Sequence, residues 1–188
     1  MRVIAGTRRS LPLKTVKDDR VRPTTDRIKE TLFNMLSPYV PGCRFLDLFA
    51  GSGAIGIEAL SRGADEAVFV DSSRESVSVI RENLRFTRLT ENARVLEEDV
   101  LRALRRLSDE GKAFGIIFMD PPYGEGLQLK TLEAIRDLNV ADSDTLIIAE
   151  ALRETDLSPA EELGFRIVKE KNYGSNKHVW LRKAGEES

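Results

Sequence analysis

The sequence predicts an α/β fold, with a mostly parallel sheet of seven strands, helices on both faces and a C-terminal antiparallel hairpin. A small N-terminal hairpin and helix precede it. Three observations carry this reading. Apolar strand-length runs alternate with helical-period segments from Cys43 to about Leu163, the pattern of successive βα units. The first strand runs straight into Gly51-Ser52-Gly53-Ala54-Ile55-Gly56. The fourth, an apolar run over 114–119, ends in Asp120-Pro121-Pro122-Tyr123. Two consecutive prolines stop a strand and stiffen the turn that follows.

The elements follow in order. Short apolar segments at 3–5 and 11–16 flank a basic stretch and are expected to pair as a hairpin. Thr24 or Thr25 caps a helix over 26–36, whose Ile28, Leu32, Met35 and Leu36 keep helical spacing. Ser37-Pro38 and Pro41-Gly42 end it. Strands are then expected over 44–49, 67–70, 93–97, 114–119 and 145–149, with helices over 53–62, 73–86, 100–107, 127–138 and 159–163. The tail changes pattern. Residues 165–171 and 178–182 alternate around Tyr173-Gly174-Ser175-Asn176, the mark of an antiparallel hairpin. Residues 1–22 read as a basic arm, 23–183 as the main domain and 184–188 as a frayed tail.

Composition narrows the class. The chain has 188 residues, one cysteine (Cys43) and one histidine (His178). No internal disulfide can form, no Cys/His cluster suggests a metal, and no apolar run is long enough to span a bilayer. A cytoplasmic protein is expected, and nothing demands more than a monomer. The net charge of −2 conceals an asymmetry, because residues 1–29 carry nine basic and three acidic side chains. Such a distribution suits a polyanion at the N-terminal end, with Arg2, Arg8, Arg9, Lys14, Arg20 and Arg22 as candidate contacts; a solvated arm is the plainer alternative.

Four features fall at carboxyl ends of strands, where open α/β sheets bind ligands. They are Asp47 with the loop Ala50, Gly51, Ser52 and Gly53, then Asp71-Ser72, then Asp99-Val100, then Asp120 to Tyr123. Glycines allow close backbone approach, and an acid after the second strand can accept from both hydroxyls of a ribose. The glycine spacing alone also fits a nicotinamide dinucleotide. Asp47 would then repel the pyrophosphate, whereas it would attract the ammonium and sulfonium of S-adenosylmethionine. Asp99 could accept from an adenine amine or merely cap the next helix, and Asp47 could be a buried structural acid. Asp120 and Tyr123 together suit a flat heterocycle carrying an exocyclic amine.

These residues resemble class I S-adenosylmethionine-dependent methyltransferases that act on exocyclic amines. Upstream, Val21-Arg22-Pro23-Thr24-Thr25-Asp26-Arg27-Ile28-Lys29-Glu30-Thr31-Leu32-Phe33-Asn34 is similar to the signature of the RsmD family, bacterial 16S rRNA (guanine-N2)-methyltransferases. The run 46–54 extends the resemblance, which covers nearly the whole chain. The basic stretch 7–11 is shorter than the family's and lacks its glycine. The resemblance implies a Rossmann-like methyltransferase fold, S-adenosyl-L-methionine as cofactor, and 16S rRNA or a small-subunit particle as partner. It implies cofactor contacts from Thr24, Thr25, Asp47, Gly51, Gly53, Asp71 and Asp99, and catalysis at Asp120, Pro121, Pro122 and Tyr123.

Other readings stay open on sequence alone. Adenine-N6 in DNA and a protein glutamine amide also present an NH2 group, although a DNA enzyme would usually need a further recognition segment. A non-catalytic RNA-binding assembly module could keep the same fold.

Overall fold

The computed structural model describes residues 1–16 and 25–185. Thr24, Arg20 and Arg22 lie outside the described residues, as does the expected boundary between arm and domain.

Helix α1 spans Asp26–Leu36, and the Thr25 hydroxyl accepts from the Ile28 N–H at 3.4 Å, the expected cap. Strands β1 (Arg44–Leu48), β2 (Glu66–Asp71), β3 (Ala93–Glu97), β4 (Ile116–Met119) and β5 (Leu146–Leu152) alternate with α2 (Ala54–Ser61), α3 (Arg74–Thr87), α4 (Val100–Asp109) and α5 (Leu127–Asp137). The short α6 (Pro159–Glu162) leads into the hairpin β6 (Phe165–Tyr173) and β7 (Asn176–Lys183). A 3₁₀ turn at Thr90–Asn92, absent from the sequence reading, joins α3 to β3.

The seven strands lie in the order β3-β2-β1-β4-β5-β7-β6. β1 through β5 are parallel to their neighbours, and β7 pairs antiparallel with both β5 and β6. The chain winds outward from β1 in one direction and from β4 in the other, and the carboxyl ends at such a switch point are where open α/β sheets bind ligands. Inserting β7 between β5 and β6 lengthens β5, which was expected to end at 149 and instead pairs as far as Leu152. That extension brings Glu150 into the sheet.

The two faces bury separate cores. Leu46, Leu48, Val68, Val70 and Ile117 meet α4, α5 and α6. Phe45, Phe69, Phe118 and Ile148 meet α1, α2 and α3 on the other face. The expected N-terminal hairpin is present as a short pairing, with an Arg2–Pro12 bridge and Val3 and Leu13 buried in this second core. It docks on α2 through Glu58, which accepts from the Ile4 and Ala5 N–H groups at 2.8 and 3.0 Å. Gly6, at φ +83°, lies so close to α2 that a Cβ would sit 1.8 Å from the Ser61 carbonyl oxygen. Only glycine permits that approach.

Lys29, counted among the basic N-terminal side chains, does not face solvent. It is fully buried, with Nζ 3.3 Å from Glu58 Oε2 and donating to the Arg2 carbonyl at 2.6 Å. Its burial lowers its pKa, which the Glu58 charge partly opposes.

Candidate active site

Asp47 is the fourth residue of the five-residue β1 and is almost completely buried. Its Oδ2 accepts from the Gly56 N–H at 2.9 Å. Burial pushes its carboxyl up to about 8, the Gly56 bond pulling it back and the Asp71 charge raising it further. A buried acid held this way favours a cationic ligand, whose charge would return it to the ionised form.

The loop after β1 needs unusual backbone. Gly51 and Gly53 take φ of +56° and +77°, and Phe49, a bulky residue, takes φ +60°. Side chains in that region cost free energy and cluster at ligand sites. The loop is braced on three sides. The Ala50 N–H donates to the Val70 carbonyl at 2.9 Å, the Gly51 N–H to Asp71 Oδ2 at 2.9 Å, and Asn83 Nδ2 to the Ser52 carbonyl at 2.9 Å. Gly56 packs under Phe69, where a Cβ would meet the ring at 2.3 Å. Beside Gly51 the space is open.

Asp71 ends β2, and its Oδ1 also accepts from the Ser73 N–H at 2.8 Å. Both its oxygens thus shape backbone, yet each keeps a second lone pair for a hydroxyl donor. Ser72 is exposed beside it. Asp99 caps α4, its Oδ1 accepting from the Leu101 and Arg102 N–H groups at 2.9 and 3.3 Å. The capping alternative is therefore realised, and Val100 is buried as the first residue of the helix. Thr25 spends its hydroxyl on the α1 cap.

Asp120 follows β4 and is half-buried. β4 pairs with β5 at Met119–Ala149, so Asp120 comes one step on, level with Glu150. Asp47 pairs with Phe118, two residues before Asp120. The two-residue period of a strand puts Asp47, Asp120 and Glu150 on the same face at the rim. Burial, then the charge of Glu150, then that of Asp47, hold the Asp120 carboxyl well above the usual range. Pro121 is buried and Pro122 exposed. The Tyr123 side chain is exposed, and its hydroxyl accepts from Asn176 Nδ2 at 2.7 Å.

Glu150, Asn176 and His178 were not singled out by the sequence reading, although Glu150 is an acid closing an apolar run, the same signal that flagged Asp71. Among the described residues no group of three or more His, Cys, Asp and Glu could hold a metal, and no helix is long and apolar enough to cross a membrane.

Of the candidate polyanion contacts, Arg2 pairs with Asp26 (3.3 Å) and Lys14 with Glu82. Arg8 is half-buried and donates to the Arg88 carbonyl at 3.4 Å, whereas Arg9 is exposed. Arg2, Arg9 and Arg27 line one cleft between the hairpin and α1.

Residues 1–182 match the family model described as conserved hypothetical protein 95. YlbH of Bacillus subtilis (strain 168), provisionally named an rRNA methyltransferase, is 43% identical over 157 residues, 84% of this chain and 85% of that protein. "Ribosomal RNA small subunit methyltransferase D" of Escherichia coli K12 is 36% identical over 174 residues, 93% of this chain and 85% of that protein. The solved Escherichia coli structure of yhhF, provisionally named a methyltransferase, superposes with a TM-score of 0.82 at 32% identity, covering 99% of each chain.

Proposed function

The chain belongs to the conserved hypothetical protein 95 family, the RsmD family of methyltransferases, and from that premise we propose that it methylates the exocyclic N2 amine of a guanine in 16S rRNA of the small ribosomal subunit. The observation that carries the reading is the placement of Asp47, the glycine loop, Asp71 and Asp120-Pro121-Pro122-Tyr123 around one crevice between β1 and β4.

The residues fit S-adenosylmethionine. Asp47 is a buried acid suited to a cationic ligand, and the space beside Gly51 is open. When bound, S-adenosylmethionine supplies an electrophilic methyl group on a sulfonium. Asp47 and the loop Ala50–Gly53 would hold its methionine part, Asp71 and Ser72 its ribose, and Asp99 with Val100 its adenine. As the family resemblance implies, Thr24 and Thr25 would help close the cofactor pocket.

The guanine amine is a weak nucleophile because its lone pair is delocalised into the ring. Asp120 and the Pro121 carbonyl would accept its two N–H bonds, fixing its direction and releasing the lone pair. As the new bond forms, positive charge grows on that nitrogen, and Asp120 in its ionised form stabilises it. Asp120 is then placed to accept the proton that must leave. A cationic cofactor beside it would favour that ionised form, opposing the burial and the neighbouring acids that raise the Asp120 pKa. Tyr123 would stack on the base, a contact worth roughly 1–3 kcal/mol. Pro122 keeps the turn rigid between them. The target base must leave its stack to reach this rim, while Arg2, Arg8, Arg9, Lys14, Arg20 and Arg22 would hold RNA phosphates.

Two substitutions test the division of labour. Asp120→Ala should abolish methyl transfer and leave cofactor affinity nearly intact, whereas Asp71→Ala should weaken cofactor binding first. Normal turnover by Asp120→Ala would refute the catalytic assignment.

A further inference from the structure

Asn176 opens β7 at the tip of the C-terminal hairpin, 53 residues along the chain from Tyr123. Its Nδ2 donates to the Tyr123 hydroxyl at 2.7 Å and to Glu150 Oε1 at 3.0 Å. Both hydrogens of that nitrogen are thereby used. Glu150 is buried and anchored three ways. Its Oε2 lies 3.2 Å from His178 Nε2, its carbonyl accepts from Gln128 Nε2 at 3.1 Å, and its backbone pairs with His178 across β5 and β7. The His178 ring is itself fixed edge-on against Phe118 and Tyr173, with centroids 5.9 and 4.9 Å away. Its Nδ1 is buried without a hydrogen-bond partner among the described residues.

We propose that Asn176 is a positioning residue for the target base, tying the Tyr123 ring to the buried Glu150–His178 pair so that ring and Asp120 meet the base as one rigid surface. The inference rests on the reading of Tyr123 as the stacking platform. The need for such a tie is local. Pro121 and Pro122 stiffen the turn before Tyr123, but Gly124 and Gly126 follow it, at φ of +86° and +61°. A ring hung between a rigid and a permissive segment requires a second support to hold its plane. Alignment matters because small displacements of reacting groups cost large factors in rate. The β6–β7 hairpin thus does more than extend the sheet, since its first β7 side chain completes the acceptor side of the crevice.

A double-mutant cycle on the full chain tests this, with labelled methyl transfer to small-subunit rRNA and titration of S-adenosylmethionine as readouts. Tyr123→Phe keeps the ring and removes only the hydroxyl at a surface turn, so folding is not at issue; Asn176→Ala removes the other end of the bond. Each should lower kcat by about tenfold, with KM for RNA changing far less, since phosphate contacts supply most RNA affinity. The double variant should be no slower than the single ones, and cofactor affinity should stay at the wild-type value in all three. Wild-type kcat for Asn176→Ala, or losses that multiply in the double variant, would overturn the proposal. Absence of rRNA methylation by the wild-type protein would instead overturn the reading on which it rests.

Discussion

Asn83 on α3 and Lys14 in the N-terminal hairpin are joined by reciprocal hydrogen bonds. The Lys14 N–H donates to Asn83 Oδ1 at 2.9 Å, and Asn83 Nδ2 donates to the Lys14 carbonyl at 3.0 Å. The same Nδ2 also reaches the Ser52 carbonyl in the glycine loop. One buried amide therefore ties the basic arm to the loop assigned to the cofactor.

Asn83→Ala should loosen both at once. Three backbone groups lose a partner in a site that is nearly closed to water, a cost of roughly 2–3 kcal/mol. For a chain of this size that is a fall in Tm of about 5–10 °C. Thermal melts should show that loss, and titrations should show weaker binding of both cofactor and RNA. Loss of only one affinity would contradict the linkage.

Gly56→Ala should damage the cofactor loop by overpacking. Its Cβ would meet Phe69 at 2.3 Å, a ring in the middle of β2 with no room to withdraw. Overpacking of this kind costs about 1–3 kcal/mol. Pairing it with Phe69→Leu should recover part of the lost stability. Equal losses in the single and double variants, read by denaturant melts, would rule out the clash as the cause.

Asp47 makes a pH prediction. Its folded-state pKa of about 8 lies above its ordinary value of 3.8, so the folded protein holds this proton more tightly than the unfolded chain. The associated stability is complete at low pH and is lost as pH rises from about 4 through 8. Melts of the cofactor-free protein should therefore fall in Tm across that range, and Asp47→Asn should flatten the slope. A cationic ligand favours the ionised form, so binding of S-adenosylmethionine should release a proton. Calorimetry in buffers of different ionisation enthalpy measures it.

Arg9 is exposed and lines the cleft with Arg2 and Arg27, while Arg2 and Lys14 already pair with acids. Arg9→Ala should weaken RNA binding uniformly across sequences and reduce the slope of log affinity against log salt by about 0.7–0.9, the value of one phosphate contact. Filter binding at several salt concentrations reads that slope, and an unchanged one would remove Arg9 from the RNA surface.

Much of this architecture is legible in the chain itself. The alternation of apolar runs and amphipathic segments locates all seven strands and six helices within a few residues, because each βα unit buries its own pattern. The acids at strand ends are legible because an acid closing an apolar run stands out. Their partners are not. That Asp71 braces Gly51, that Asp99 caps α4 and that Lys29 is buried against Glu58 depend on how elements pack. Asn176 and Tyr123 meet only because β7 enters the sheet beside β5, and strand order in a sheet is a long-range outcome. Glu150 lay one residue beyond the expected end of its strand, since the pairing with β7 that extends β5 is invisible locally.

The most direct measurement is transfer of labelled methyl from S-adenosylmethionine to small-subunit particles from cells lacking this protein, followed by nucleoside analysis. The account predicts label in N2-methylguanosine, with transfer lost in Asp120→Ala. Label in N6-methyladenosine, or no label in RNA while cofactor binding is intact, would contradict it.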